Sequence, residues 1–274
     1  YEKNYVKRGL KNRKSWIKGW NEYVKSPVLK IDIKNLNILD IKHLSKIFNV
    51  LDTRTNKNKH LQPGGTSNGL KYLQSFLEVR NKSYNQNISK PLESRSSCSR
   101  LSPYLSWGNL SSRYVWQQAN ESIKKGNSPF QIRSFLSRLR WNSHFIQRFE
   151  MEHSIEFGSV NRGYNDLKKK KVKKYYDSWE NGETGYPLVD ASIVCLKTTG
   201  YLNFRMRSMI VSFLTHHLWQ PWQSATFFLA QNFLDFEPGI HYSQLQMQAG
   251  ETGVNTIRIY NPSKKDASTK SIRF

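Results

Sequence analysis

Positions 96–106 read SSCSRLSPYLS. Small hydroxyl side chains, one thiol and one fixed cation crowd the start of an expected helix. Ser102 is a good N-cap, and Pro103 follows it at the first helical position, where a missing N–H costs nothing. A helix start carries unsatisfied N–H groups and the positive end of the helix dipole. Hydroxyl donors and the Arg100 guanidinium added there suit a phosphate or pyrophosphate. The same residues also read as an ordinary capped turn, and the rest of the chain must decide between the two.

No other chemistry competes strongly. His144, His153, His216, His217 and His241 show no HExxH or other tight ligand spacing, so no metal site is expected. Two cysteines, Cys98 and Cys195, are too few for a disulfide framework, a cysteine-rich zinc site or a four-cysteine iron–sulfur cluster. They point to a reducing compartment. PGGTSNG at 63–69 follows no strand and reads as a turn rather than a dinucleotide loop. Without a GxSxG elbow or a Walker sequence, hydrolase and NTPase readings lose their usual support.

Charge points to the partner. The net charge of +23 suggests a polyanion, usually nucleic acid. Residues 1–60 hold fifteen Lys and Arg against five Asp and Glu, whereas 200–262 balance three against three. A basic coat around a neutral interior is expected. The most apolar stretch, near 201–219, contains Arg205, Arg207, His216 and His217 and is not expected to span a membrane. No secretory signal is visible.

The elements that would position these residues read as helices. KSWIKGWNEYV sets Trp16, Trp20 and Tyr23 at helical spacing, and a less regular connector follows through SPVLKIDIKNLNILDIKHLSKIF. After PGG, Ser67 is the expected cap of a helix carrying Leu70, Leu73 and Leu77 on one face. Another helix is expected from Ser102 to about Lys125, ended by Gly126 and Pro129. The next bears Phe135, Leu139, Asn142 and Phe149 as inward candidates. KKKKVKK at 168–174 reads as a solvated loop or frayed helix end. Met206, Met209, Ile210, Phe213 and Leu214 repeat at helical spacing. No alternating strand pattern and no internal repeat appears, so the expected class is all-α.

Late in the chain stand WENGETGYPLVDA at 179–191, TGYLNFRMRSMIVSFLTHHLWQPW at 199–222 and FLDFEPGIHYSQLQMQAGETGVNTIRIYNP at 233–262. Here the sequence strongly resembles the photolyase/cryptochrome family, in its helical FAD-binding domain. The pattern W-x-x-G-x-T-G-[YF]-P-x-V-D-A is matched in full by Trp179, Gly182, Thr184, Gly185, Tyr186, Pro187, Val189, Asp190 and Ala191. The stretch from Cys98 resembles the family's [TS]-S-x-L-S-P-Y-L segment, and Arg258–Pro262 its R-[IV]-[FY]-N-P. The resemblance covers roughly residues 60–274.

What the resemblance implies is specific. Cys98, Ser99, Arg100, Leu101 and Ser102 would wrap the FAD diphosphate, with Tyr84 a further contact. Phe135, Asn142 and Phe145 would also contact the cofactor. At the isoalloxazine end it implies Asp235, Phe236 and Glu237, with Arg207 paired to the first acid and His241 near the flavin. Trp141, Tyr201 and Arg138 fall at the lesion, where Trp141 and Tyr201 would stack on DNA bases; Arg205 and Arg258 would hold phosphates.

Four departures stand out. Tyr201 takes the place of a base-stacking Trp in the family's G-W-M-H-N-R segment, which reads Gly200–Arg205 here. Cys98 sits where the family has Thr or Ser. Arg138 replaces an acid that contacts the lesion in many cyclobutane-dimer photolyases. HYSQLQMQ replaces N-G-G-W-Q-W, leaving Trp222 from the usual electron-transfer tryptophans, with Lys169 near the outermost position and Trp219 or Tyr242 as substitute routes.

The implied activity is light-driven, FAD-dependent repair of UV-induced pyrimidine dimers, cyclobutane dimers favoured, in single- or double-stranded DNA. A cryptochrome-type photoreceptor without repair activity is the alternative, and a basic helical protein with a decayed flavin site is a third reading. The expected organisation is a basic helical arm and connector over 1–60 and a catalytic domain over 61–274. A fragment or short form lacking the α/β antenna domain is expected. So is a monomer without metal or membrane partner, in a bacterial-type cytoplasm at the nucleoid or another reducing compartment.

Overall fold

The computed structural model describes residues 14–29, 58–253 and 256–263. Within them the fold is all-α, with no strand among the described residues. The order is α1 (Trp16–Lys25), α2 (Thr66–Glu78), the short α3 (Tyr84–Asn87), α4 (Ser94–Ser97) and α5 (Ser102–Ser106), then α6 (Ser112–Lys124), α7 (Pro129–Met151), α8 (Lys173–Asn181), α9 (Pro187–Thr199), α10 (Phe204–Ser212), α11 (Gln223–Asn232) and α12 (Pro238–Ala249). Most of the expected 26–48 connector lies outside the described residues, as do 1–13 and 264–274 of the two expected segments.

Two apolar cores organise these helices. The first gathers Leu73, Phe76, Leu101, Tyr104, Val115, Ile132, Phe135 and Leu139 from α2, α5, α6 and the first half of α7. The second gathers Trp179, Ile193, Leu196, Met209, Ile210, Phe213, Trp222, Leu229 and Leu245 from the helices after residue 170. Helix α7 reaches both, because its far half packs along α12. At that crossing a Cβ on Gly239 would stand 2.8 Å from both Ile146 Cα and Phe145 O. Only a glycine lets the two backbones come that close.

The tryptophan–glycine–aspartate motif is a folding device. Gly182 ends α8 in the left-handed conformation, at φ 75°. Asp190 then folds the turn onto α9: its Oδ1 accepts from Thr184 N–H at 2.8 Å and Oγ1 at 2.6 Å, and its Oδ2 from Gly185 N–H at 3.0 Å. Trp179 is fully buried and donates to Ile210 O at 2.9 Å, tying α8 to α10.

Helix α1 docks on α6. It buries Trp16, Trp20, Tyr23 and Val24. Gln117 Nε2 donates to Val24 O and Ser26 O, and the Arg113 guanidinium covers the Tyr23 ring at 4.3 Å.

Four expectations are corrected. Helix α2 starts at Thr66 behind Gly65, so Ser67 is inside it, and Leu70 is exposed while Phe76 takes the buried face. The helix expected from Ser102 to Lys125 is two helices, because Gly108 turns at φ 71° and Ser111 caps a fresh start by accepting from Tyr114 N–H. Leu101, not Ser102, is the N-cap of α5, and no side-chain cap forms there. Residues 168–172 lie outside any helix, in keeping with the loop reading, and α8 begins at Lys173.

Candidate FAD site and its mouth

Between the two cores lies a cavity of about 410 Å³. One end is the segment before α5. Cys98 is extended, and Arg100 takes a left-handed φ of 58°, rare for a residue with a side chain. The carbonyls there are held from outside. Arg80 donates to Cys98 O, to Ser99 O at 3.1 Å, to Tyr72 O at 2.7 Å and to Ser75 Oγ at 3.0 Å, and Gln62 donates to Arg100 O at 2.8 Å. Ser99, Arg100, Leu101 and Ser102 line the cavity, with Tyr84 and Cys98 beside them.

Arg100 supplies the electrostatic character. Its Nε is buried with no hydrogen-bond partner among the described residues. Burial lowers its pKa from the ordinary value, and nearby Tyr201 raises it in part. A half-buried cation with a buried, orphaned N–H fits an anionic ligand, and the FAD diphosphate is one. Burial pushes the Cys98 thiol up to about 11, partly offset by Arg80 and Arg100, so it stays a neutral thiol at pH 7.

At the other end Arg207 grips Asp235 through two parallel bonds, Nη1 to Oδ1 and Nη2 to Oδ2, each 2.9 Å. The aspartate side chain is 6% exposed. Arg207 also donates Nε to Leu202 O at 2.8 Å and lies over Phe233 at 4.0 Å. From outside, Trp107 Nε1 donates to Leu234 O at 2.8 Å and braces this segment. Phe236, Glu237 and His241 complete the wall. Burial holds His241 down to about 4, so it is neutral at pH 7. Its Nε2 meets Thr226 O at 3.0 Å. A carbonyl only accepts, so the proton is on Nε2 and Nδ1 is left as an acceptor.

The mouth is aromatic and cationic. Trp141 is 50% exposed and Phe204 40% exposed, and both line the opening with exposed Arg138. Arg138 and Arg205 stand 6.0 Å and 5.1 Å from the Phe204 ring. Asn142 and Phe145 continue the same wall of α7.

Some sequence expectations are not met by this geometry. Tyr201 is buried, and one face is covered by Arg100 at 3.7 Å, so it offers no open surface to a base. Phe135 does not reach the cavity. It packs edge-on against Phe76 at 5.0 Å and Tyr84 at 6.3 Å in the first core. Arg258 is exposed but away from the cavity wall, and Arg205 is engaged by Tyr260 Oη at 3.2 Å and Ser89 Oγ at 3.4 Å. Phe204, Arg80 and Gln62 escaped sequence reasoning. The position of Phe204 at the first turn of α10, after the Asn203 cap that accepts from Met206 N–H, is the signal that could have found the first of them.

The electron-transfer candidates stand apart. Trp222 is fully buried, with Nε1 donating to Glu251 Oε2 at 2.9 Å. Trp219 is 55% exposed, with Lys169 Nζ 4.4 Å from its ring. Tyr242 donates to Glu156 at 2.9 Å, stacks on Phe149 at 5.9 Å and touches the cavity through His241, its ring 5.2 Å away. Among the described residues no cluster of His, Cys, Asp and Glu is suited to a metal, and no helix is long and apolar enough to cross a membrane.

Comparison with known proteins bears on the family and the fold. The family described as the FAD binding domain of DNA photolyase matches residues 135–271. A deoxyribodipyrimidine photo-lyase of Alkalihalophilus pseudofirmus is 29% identical over 212 residues, covering 77% of this chain and 42% of that protein. A Synechocystis cryptochrome shares the fold with TM-score 0.68 at 24% identity, over 72% of this chain and 41% of that one. An archaeal photolyase from Sulfolobus tokodaii, solved with two FAD molecules, matches with TM-score 0.61 at 27% identity, over 73% of this chain and 42% of that one. The chain thus spans about two fifths of the length of the relatives it matches. It belongs to the photolyase/cryptochrome family, as a helical FAD-binding domain.

Proposed function

We propose that the chain carries out light-driven repair of UV-induced pyrimidine dimers in DNA, cyclobutane dimers above all. The observation that carries this reading is one cavity with three differently equipped regions. A half-buried cation with a buried, orphaned donor marks one end, a bidentate Arg207–Asp235 pair the other, and an open aromatic and cationic rim the mouth. FAD held there would supply light-driven one-electron chemistry for splitting the dimer.

The chain's own residues hold and exclude. Ser99, Arg100 and Ser102 would take the diphosphate, while Arg207, Asp235 and His241 would flank the ring system. Trp141 and Phe204 would receive the extruded bases, since base–aromatic stacking tolerates any base. Extrusion is cheaper for damaged bases, which pair and stack poorly. Arg138 at the mouth and the lysines of 168–174 would hold phosphates.

The test uses protein loaded with FAD and reduced chemically beforehand, so that no internal electron route is needed. Single-stranded DNA carrying cyclobutane dimers should revert to intact pyrimidines under blue light and stay unchanged in the dark. The second reading is a cryptochrome-type photoreceptor, favoured by Arg138 standing at the mouth where many cyclobutane-dimer photolyases carry an acid. Absence of repair on cyclobutane and (6-4) lesions, in single and double strands, would give that reading precedence.

A further inference from the structure

Trp222 and Glu251 meet between two cavities. The indole is fully buried, and its Nε1–H donates to Glu251 Oε2 at 2.9 Å. The same oxygen accepts from the Ser159 hydroxyl at 2.6 Å. Glu251 is 5% exposed, yet it lines a second, polar cavity of about 570 Å³ with Ser159, Arg162, Lys168 and Lys169. Trp222 shares its core with Val211, Leu229 and Leu245, which line the FAD cavity. The pair thus connects the surroundings of one cavity to the wall of the other.

A carboxylate is more than packing requires here. A neutral amide would satisfy the indole N–H without the cost of burying a charge. The charge is compensated by the two donors, by Lys169 and His216 within electrostatic reach, and by Arg162 and Lys168 on the same cavity. What a carboxylate adds is a place for a proton. An indole gives up its N–H proton readily only after it has lost an electron. Trp219, three residues earlier, has an ammonium against its ring, which opposes a positive charge there. An oxidised Trp222 instead has a carboxylate on its N–H, which can take the proton and so remove the charge.

We infer that Glu251 is the proton acceptor for Trp222 when that residue gives an electron to a photoexcited, oxidised flavin. The inference rests on the flavin reading of the first cavity. One electron leaves the indole for the excited flavin, and an indole radical cation remains. The Nε1–H bond then breaks with its electron pair left on nitrogen, and the proton passes to Oε2. The products are a neutral indolyl radical and a carboxylic acid. Return of the electron then requires return of the proton, which prolongs the charge separation. Glu251 is a positioning and proton-accepting group for Trp222; it does not touch the cofactor cavity.

Flash spectroscopy on the flavin-loaded protein tests this, with flavin content measured first by absorbance. In the wild type the tryptophan radical cation should convert to the neutral radical, and the conversion should slow in heavy water. Glu251→Gln keeps an acceptor for the N–H but no proton site, so conversion should slow on the order of 100-fold. Trp222→Phe should abolish the radical signal. Conversion at the wild-type rate in Glu251→Gln, or an unchanged radical in Trp222→Phe, overturns the inference. If Glu251→Gln does not fold, the heavy-water comparison decides, and no slowing overturns it. A protein that takes up no flavin overturns the reading of the first cavity and this inference with it, and that outcome is visible at loading, before any flash.

Discussion

Arg100 and Tyr201 stand face to face, the guanidinium carbon 3.7 Å from the ring centroid, and Arg207 lies 5.5 Å from the same ring. Tyr201 is therefore a spacer between two cations inside the site. Tyr201→Ala should lower stability by about 2 kcal/mol, the scale of a desolvated cation–π contact, and leave single-stranded DNA binding unchanged. Trp141→Ala and Phe204→Ala should each weaken that binding by about 1–3 kcal/mol. Thermal melts and fluorescence titrations read both, and equal losses of DNA affinity in all three variants would return Tyr201 to the mouth.

Arg100→Ala removes the orphaned donor and its charge. FAD affinity should fall by about 1.5–3 kcal/mol, the range for hydrogen bonds to charged groups. Isothermal titration with FAD measures it, and unchanged affinity would take Arg100 out of the diphosphate site.

Asp235→Asn leaves Arg207 without its bidentate partner. Breaking a fully buried pair costs about 3–5 kcal/mol, and the 28% exposure of the Arg207 side chain should bring the loss to the lower end or below. A melting temperature equal to wild type would mean that the pair contributes nothing.

His241 makes stability depend on pH. Burial depresses its folded pKa to about 4, with Arg207 lowering it further and Asp235 opposing. Between about 6.5 and 4 the unfolded chain binds the proton and the folded chain does not. Stability tied to this group is thus intact above the unfolded value and lost as pH falls toward 4, on the order of 3 kcal/mol in all. Denaturant titrations across that window should show the loss in the wild type and much less of it in His241→Gln.

DNA affinity should fall steeply with salt, because each neutralised phosphate releases counterions. Neutralising the lysines of 168–174 should flatten the plot of log K against log salt and leave any preference for damaged DNA intact. A flat plot in the unaltered protein would give the charge of +23 another purpose.

The helices and their inward faces were largely legible from periodicity, and the segment 98–102 that lines one end of the cavity stood out by its hydroxyls and cation. What escaped depends on contacts distant in sequence. Tyr201 occupies a position where the family stacks a base, but Arg100, a hundred residues earlier, covers its ring. Arg80 reads as one surface cation among 43 basic residues, yet it holds three carbonyls. Phe135 shares the helical face of the cavity residues but lies too near the start of α7 to reach the cavity. Local signals were also misweighted: Gly108 and Ser111 both marked the break between α5 and α6.

The contact at Gly239 gives the site a mechanical stop. Helix α7 carries Arg138, Trp141, Asn142 and Phe145 on one wall, and α12 carries His241, Gln244 and Gln248 on the other. Where the helices cross, main chain rests on main chain, so the separation of the walls is gauged by backbone thickness and not by any side chain that could be exchanged. Residues on the rim can thus be replaced without resetting the gap. A methyl group at 239 would act as a wedge, splaying both walls and changing the gauge for every ligand at once.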